Sequence, residues 1–307
     1  MDKKKISRFL KNWLGFIAFQ ASLFFVAVIP LNFLYKISEL LGKFAYYLSA
    51  RHRSIAKEGL EIAFGNSLGS REKKKIIIDC FKEIAKGGLE TVYLLKHPDT
   101  FRIRVTLTGS EHLKEALARG KGVICVTAHF GNFILLVQCL SSAGFRMVVN
   151  VRPLRDERMD RYLAQKRKEF NIESVCTKPP KECVDKSLAF LRQNAVLLNL
   201  LDQNFGSANG VFVDFFGKSA ATASGPVVLG LRSKAAILPV FIIRKPDNSQ
   251  EVIIESEFLI EKKDDFQETV SYNIAKLTKI IEGYVRRYPA QWSWIHRRWK
   301  SRPQVRP

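Results

Sequence analysis

Acidic residues are scarce in this chain of 307 residues, which has 29 Asp and Glu against 50 Lys and Arg and a formal net charge of +21. Such an excess of positive charge indicates an anionic partner: a nucleic acid, an anionic membrane surface, or an acidic substrate or protein. The chain has no zinc-finger spacing, no RNA-binding signature and no basic region linked to heptads. Because its basic residues lie beside apolar and aromatic stretches, we favour a membrane surface and predict no nucleic-acid partner.

Cysteine is also rare, with five residues, an odd number, and no CxxC pair. Cys125 and Cys139 lie in apolar runs and are predicted to be small core residues. Cys176 and Cys183 do not have the spacing of zinc ligands, and we predict no metal site. This use of cysteine is typical of a protein whose thiols stay reduced and whose folded part faces the cytosol.

Charge is absent from residues 12–35. As a helix that rises about 1.5 Å per residue, this run would reach roughly 35 Å, enough to cross a hydrocarbon core of about 30 Å. Basic residues flank it on both sides, so the positive-inside rule gives no orientation, and Pro30 predicts a kink or a stop near its end. We predict a retained helical membrane anchor at residues 1–36, which spans the bilayer or dips into one leaflet. The alternative is a helix of a soluble core.

No internal repeat or low-complexity linker divides residues 37–307, which we predict to be one α/β domain with a helical amino-terminal part. Its first part, residues 37–96, has the periodicity of amphipathic helices. From Phe101 onwards, short apolar strands alternate with helical patterns, which is typical of an α/β body. We therefore predict a mixed sheet flanked by helices, preceded by the helical membrane anchor.

A histidine follows one of these strands. Residues 123–126 are an apolar run, Gly131 then allows a tight turn, and Asn132 suits the cap of the next helix. Open α/β sheets place their chemistry at the carboxyl ends of strands, where His129 lies, and neutral imidazole is the usual general base near pH 7. His129 is therefore a candidate base. The alternative is a capped, hydrogen-bonded histidine without a chemical role.

The sequence around His129 resembles the late acyltransferases of lipid A biosynthesis, the lauroyl and myristoyl transferases of Gram-negative bacteria. The resemblance covers most of the chain and implies a fold of the glycerolipid acyltransferase type. It departs from the family in one place: the family carries His-x4-Asp/Glu, and Ile134 stands where the acid is expected. The motifs that carry the resemblance are His129-Phe130-Gly131-Asn132, Arg152-Pro153, Asp202-Gln203, Phe215-Phe216-Gly217, Ala221-Thr222, Gly225-Pro226 and Gln291-Trp292-Ser293-Trp294-Ile295-His296-Arg297-Arg298-Trp299-Lys300.

The resemblance also implies a reaction. A thioester of acyl carrier protein, or acyl-CoA, would donate a fatty acyl group to a hydroxyl of a membrane lipid, and no cofactor is implied. His129 would take the proton of that hydroxyl. No nucleophile-elbow motif is present in the sequence, which fits direct transfer without an acyl-enzyme. The implied location is the inner membrane, with the catalytic domain facing the cytoplasm.

Further site residues follow from the same motifs. Asp202 stands at the end of another strand and is predicted to approach His129 across the sheet in place of the missing acid; the alternative is a helix or turn cap. Arg152 is predicted to bind a phosphate of the lipid or of the carrier's phosphopantetheine arm, because the guanidinium fork suits phosphate; the alternative is a solvated or salt-bridged surface arginine. The remaining predicted substrate-binding residues are Gly131, Asn132 and Gln203.

Two alternatives stay open. The mixture of tryptophan and cations in residues 292–300 suits the lipid headgroup zone, or else packs on the body with a solvated basic fringe. The favoured function is a membrane-bound acyltransferase that moves a fatty acyl chain from acyl carrier protein to a glycolipid or related lipid. The rival, motivated by Ile134, is a degenerate member that binds lipid or acyl carrier protein without transfer. Oligomeric state and acceptor identity do not follow from the sequence.

Overall fold

The amino-terminal part of the structure is helical. The computed structural model describes residues 3–94, 96–97, 99–154, 156–206 and 210–303. Pro30 lies between the first two helices, as expected for a residue that lacks an N–H and fixes φ. The helices are α1 (Lys3–Val28), α2 (Leu31–Leu48), α3 (Ala50–Phe64) and α4 (Ser70–Leu94), with a 3-10 turn at Gly65–Ser67.

Within the described residues, nine strands follow in two sheets. Seven of them form one sheet in the order β1-β9-β8-β2-β5-β3-β4, in which every neighbouring pair is parallel except β8 and β9. The other two, β6 and β7, form an antiparallel hairpin. The strands are β1 (Val105–Thr108), β2 (Val123–Thr127), β3 (Met147–Val151), β4 (Ile172–Cys176), β5 (Val196–Leu200), β6 (Gly210–Phe215), β7 (Lys218–Ala223), β8 (Ala236–Arg244) and β9 (Gln250–Ile254).

Helices cover both faces of the large sheet. One apolar layer joins it to α3, α4 and three later helices, and the other joins it to two further helices and the carboxy-terminal end of α4. Strand β2 lies between these layers, and each of its residues is at most 1% exposed, which explains its uninterrupted apolar sequence. The later helices are α5 (Thr100–Arg104), α6 (Ser110–Ala118), α7 (Phe133–Ser142), α8 (Glu157–Glu169), α9 (Pro180–Arg192), α10 (Gly225–Ser233) and α11 (Phe266–Arg287), followed by a 3-10 turn at Pro289–Gln291.

The mixed sheet with flanking helices agrees with the sequence prediction, but the predicted membrane anchor at residues 1–36 is wrong. No helix within the described part of the chain is both long enough and apolar enough to cross a membrane. The uncharged run is interrupted at Pro30, and part of its apolar surface is used inside the protein. Leu23 and Leu34 are each 2% exposed, and Tyr35 hydrogen-bonds to a carboxylate of α4.

Candidate active site

The register of two neighbouring strands brings His129 and Asp202 together. Strands β2 and β5 are parallel, and Thr127 is paired with Leu200 at their carboxyl ends. The backbone N–H of Leu201 continues the ladder by donating to the carbonyl of Thr127 at 3.0 Å. His129 and Asp202 each come two residues after this last pair, so their side chains leave the same edge of the sheet side by side.

The two side chains form a hydrogen-bonded pair. The Nδ1 atom of His129 lies 2.9 Å from Oδ1 of Asp202, and the backbone N–H of His129 donates to Oδ2 at 3.0 Å. The indole N–H of Trp292 donates to the same Oδ2 at 2.8 Å. Asp202 is 2% exposed, whereas about a quarter of the His129 side chain is open to solvent. The pair therefore has a buried acid and an accessible imidazole.

Charge and hydrogen bonding keep Asp202 ionised. Burial alone would raise the pKa of this carboxyl, but the interaction with His129 and the hydrogen bonds from His129 and Trp292 hold the pKa below its ordinary value. An ionised Asp202 accepts a hydrogen bond from Nδ1 of His129, which places the ring proton on Nδ1. The lone pair of a neutral His129 is then on Nε2, the nitrogen that a general base needs free.

Gln203 reaches that nitrogen. Its side-chain Nε2 lies 3.0 Å from Nε2 of His129. Since the imidazole Nε2 carries the lone pair, the amide of Gln203 is the donor of this hydrogen bond. Gln203 therefore lies beside the base, and its role as a substrate-binding residue stays a prediction.

The turn after His129 explains why Gly131 and Asn132 occupy their positions. Gly131 has φ of +52°, and a Cβ atom there would lie 2.4 Å from the carbonyl oxygen of Ile242, so only glycine fits. Asn132 caps α7, since its Oδ1 accepts from the N–H of Leu135 at 3.2 Å. The Asn132 side chain is 4% exposed. Both residues hold the turn in place, and their contact with substrate stays a prediction.

Asn132 is also tied to a buried ionic cluster, which consists of Glu83, Glu90 and Arg244. Its amide donates to Oε2 of Glu90 at 2.9 Å. Arg244 donates from NH2 to the same oxygen at 2.8 Å, from NH1 to the other oxygen of Glu90, and from Nε to Glu83 at 2.7 Å. Tyr35 donates to Glu90 at 2.6 Å. The cluster thus joins α2, α4 and β8 to the turn that carries the base.

The cluster holds its charges in the protein interior. Burial alone would raise the pKa of Glu90, but the hydrogen bonds and charge of Arg244 lower it below the ordinary value for glutamate. The side chains of Glu90 and Arg244 are each 4% exposed. Sequence reasoning missed this cluster because its acids lie on a helix that shows only amphipathic periodicity and its arginine ends a distant strand.

A carboxy-terminal strap, which we define as residues 291–301, crosses the site. The carbonyl of Gln291 accepts a hydrogen bond from the N–H of Gly131. The N–H of Ser293 donates to the carbonyl of His129 at 3.0 Å. Trp292 and Trp294 are each 1% exposed and Arg298 is fully buried. Of the two open interpretations of these tryptophans, the structure therefore supports packing on the body. Sequence reasoning missed the contact from Trp292 to Asp202, for which the tail motif was the available signal.

The strap also fixes the loop after Asp202. Arg298 donates from NH1 to the carbonyl of Gln203 at 3.2 Å and to that of Ala221. The N–H of Asn204 donates to Nε2 of His296 at 3.3 Å. Burial lowers the pKa of His296 to about 4, so that this nitrogen is free to accept. The strap therefore fixes the backbone of Gln203 and Asn204, directly after Asp202.

Two clefts meet next to His129. One, of about 300 Å³, has His129 and Asn132 on one wall and α4 on the other. The second, of about 220 Å³, lies between α7, α8 and the sheet and is largely apolar, with walls that include Ile134, Val137, Val149, Leu163, Leu198 and Leu200. Phe133 and Ile134 line both clefts. An apolar chain in the second cleft would begin near the base.

The remaining predicted residue, Arg152, is exposed on the loop that follows β3. It leaves the same edge of the sheet as His129, but within the described part of the chain it contacts neither member of the His129–Asp202 pair. Its phosphate-binding role stays a prediction. Ile134 is 43% exposed in the first turns of α7, and Asp202 occupies the hydrogen-bonding position at Nδ1 of His129 that the motif acid would be expected to serve.

Restoring the motif acid should therefore gain little. We expect Ile134→Glu to change the acyl-transfer rate by much less than the roughly hundredfold effect of a general base, because Nδ1 of His129 is already bound. The exposed site should keep the free energy of unfolding within about 0.5 kcal/mol. Ile134→Gln is the matched control for size. A large rise in rate in the glutamate variant alone would show that Asp202 does not fully serve as the acid.

The mixed α/β sheet, the His129–Asp202 pair and the neighbouring apolar cleft are compatible with an acyltransferase, and the chain is an acyltransferase. It belongs to the bacterial lipid A biosynthesis acyltransferases, whose family model matches residues 1–301. The family resemblance inferred from the motifs is thereby confirmed.

Three relatives illustrate the range of similarity. The chain is 27% identical to a lipid A biosynthesis lauroyltransferase of Escherichia coli (strain K12) over 307 aligned residues, with 98% of this chain and 94% of the relative covered. It is 28% identical to the palmitoleoyltransferase of the same organism over 266 residues, with 86% and 83% covered. A phosphatidylinositol mannoside acyltransferase of Mycobacterium tuberculosis (strain H37Rv) is 28% identical over 135 residues, with 43% and 42% covered.

Proposed function

We propose that the protein transfers a fatty acyl chain from an acyl carrier protein thioester to a hydroxyl of lipid A or a related glycolipid, with His129 as the general base. The observation that carries this proposal is the His129–Asp202 pair beside an apolar cleft. The names of the lipid A relatives support the acceptor class. The net charge of +21 suits both an acidic carrier protein and a phosphorylated lipid.

The reaction needs two proton transfers, one from the acceptor hydroxyl to His129 and one from His129 to the leaving thiolate. The acceptor hydroxyl donates to Nε2 of His129, which takes the proton as the oxygen attacks the thioester carbonyl. Asp202 stabilises the resulting imidazolium through its hydrogen bond at Nδ1. When the carbon–sulfur bond breaks, the imidazolium returns the proton to the leaving thiolate. The amino-terminal turn of α7, which lines the cleft through Phe133 and Ile134, offers the positive end of the helix dipole to the oxyanion.

The acyl chain of the donor fits the apolar cleft between α7 and α8. Burial of its methylene groups would contribute about 0.8 kcal/mol each, which is enough to hold the thioester beside the base. Arg152 follows β3 at the same edge of the sheet, and its guanidinium is the proposed ligand for a phosphate of either substrate. Because the acceptor is a membrane lipid, we place the reaction at the cytoplasmic face of the inner membrane.

The alternative of a degenerate, non-catalytic member rested on the absence of an acid at position 134. Asp202 accepts from His129 Nδ1 the hydrogen bond that such an acid would be expected to accept, which supports the enzyme over the non-catalytic member. The proposed enzyme needs no carboxylate in α7.

The decisive test is transfer by the purified protein. We expect incubation with an acyl carrier protein thioester and a lipid A precursor that has a free hydroxyl to add the mass of one acyl group, measured by mass spectrometry. Acyl-CoA in a parallel reaction separates the two possible donors, and His129→Ala is the control for contaminating activity. If wild type acylates no glycolipid or phospholipid hydroxyl from either donor, the proposal is wrong.

A further inference from the structure

The lone pair of the candidate base is already occupied. Gln203 donates to Nε2 of His129 at 3.0 Å, which is the position that the acceptor hydroxyl must take in the reaction. Asp202 binds the other ring nitrogen, so that the imidazole has no second free acceptor. In this state the base can activate neither a lipid hydroxyl nor water until Gln203 moves.

The backbone of Gln203 is fixed while its side chain is exposed. Arg298 holds its carbonyl, and the neighbours Asp202 and Asn204 are hydrogen-bonded to Trp292 and His296 of the strap. The Gln203 side chain itself lies at the surface of the site. An exposed side chain changes rotamer in picoseconds to nanoseconds. The backbone of Gln203 is therefore fixed, while its side-chain amide is free to change rotamer.

We propose that Gln203 is a specificity-determining residue that covers the base until the acceptor hydroxyl displaces it, and so directs the acyl group to the lipid and away from water. This inference rests on the proposed acyl transfer. A lipid acceptor contributes binding energy from the rest of its molecule to displace the amide, whereas a water molecule offers only its own hydrogen bonds.

The reaction that Gln203 suppresses is hydrolysis of the donor. Water would lose a proton to Nε2 of His129 while its oxygen attacks the thioester carbonyl. The carbon–sulfur bond would break, the thiolate would take the proton back from the imidazolium, and the products would be a free fatty acid and a thiol. The same base and the same donor serve both reactions, so only access to Nε2 separates them.

The first measurement is release of free fatty acid from the acyl thioester without acceptor. We expect Gln203→Ala and Gln203→Met to raise this rate about three- to tenfold, the range of one neutral hydrogen bond. The ratio of hydrolysis to transfer should rise in both. Gln203→Met is the matched variant, because methionine keeps the length of the side chain but cannot donate. A rise in the alanine variant only would show steric cover and contradict the hydrogen-bond account.

The second measurement does not depend on activity. Diethyl pyrocarbonate reacts with the free lone pair of neutral imidazole, and mass spectrometry assigns the modified histidine. We expect His129 to react faster in both Gln203 variants than in wild type, with the exposed His52 as the internal reference. Equal rates at His129 in all three proteins overturn the proposal. If His129 is modified faster in the Gln203 variants but wild type transfers no acyl group, Gln203 does cover the base and the proposed function is wrong.

Discussion

Asp202→Asn should lower acyl transfer about a hundredfold or more, as much as His129→Ala does, which is the scale of losing general-base catalysis. The carboxylate accepts a hydrogen bond from Nδ1 of His129 and a second from Trp292. An asparagine has one acceptor oxygen, and an amide NH2 turned towards the imidazole favours the tautomer with the proton on Nε2. That tautomer has no lone pair to offer to a hydroxyl group. The measurement is the initial rate of product formation per folded protein.

The matched control is Asp264→Asn, which removes a carboxylate from the exposed loop before α11. We expect its rate to equal that of wild type. Circular dichroism and the midpoint of unfolding check that the Asp202 variant is folded. Undiminished transfer by folded Asp202→Asn would mean that His129 acts without a carboxylate, and the pair would then be a structural contact only.

Arg244→Met should lower the free energy of unfolding by about 3–5 kcal/mol, the usual cost of removing one partner of a buried ion pair. Methionine fills much of the space of the arginine stem but leaves Glu90 without its cation, whereas Glu83 keeps the ammonium group of Lys86 at 3.5 Å. Glu90 is then a buried charge that accepts hydrogen bonds from the neutral side chains of Tyr35, Asn132 and Gln250. Denaturant unfolding followed by circular dichroism measures the loss.

The double variant Arg244→Met with Glu90→Gln is the control for this interpretation. Removing both charges should return about 1–3 kcal/mol of the loss, the range of coupling between residues in contact. If Glu90→Gln lowers the free energy of unfolding as much in the Arg244→Met variant as it does in wild type, the ion pair does not account for the loss.

The pH dependence of stability has a defined sign for the same cluster. Because the pKa of Glu90 is lowered in the folded protein, its contribution is fully present above the ordinary glutamate pKa of about 4.3. That contribution is lost as pH falls further, through the lowered pKa of the folded state. Glu90→Gln should therefore flatten the fall of stability on acidification relative to wild type.

The sequence is sufficient to predict the centre of the fold and the position of its base. Strands β2 and β5 are apolar almost throughout because both faces are covered, and each is followed two residues later by a polar side chain, His129 or Asp202, at the same edge. The sequence pattern does not reveal β4, since only Ile172 and Val175 are buried among its residues and Glu173 and Ser174 interrupt the apolar pattern. It lies at the edge of the sheet, where one side is unpaired and the pattern is weakest.

The errors and omissions have a common cause, which is that the sequence shows local pattern and not partners. The uncharged run at residues 12–35 was long enough for an anchor, but length alone does not show that Leu23 and Leu34 are buried in the protein. Glu90 and Arg244 lie 154 residues apart along the chain, and no spacing rule connects them. The pairing of Asp202 with His129 was within reach because adjacent parallel strands bring their ends together.

The strap gives the enzyme a built-in dependence on complete translation. Residues 129 and 202 leave the ribosome well before residues 291–301, yet the backbone of His129, the carboxylate of Asp202 and the carbonyl of Gln203 are all bound by those later residues. A nascent chain can assemble its sheet while the acid of the pair still lacks its indole donor. A chain that ends before residue 291, after a nonsense codon or proteolysis, would lack the indole donor to Asp202 and the guanidinium donor to the carbonyl of Gln203.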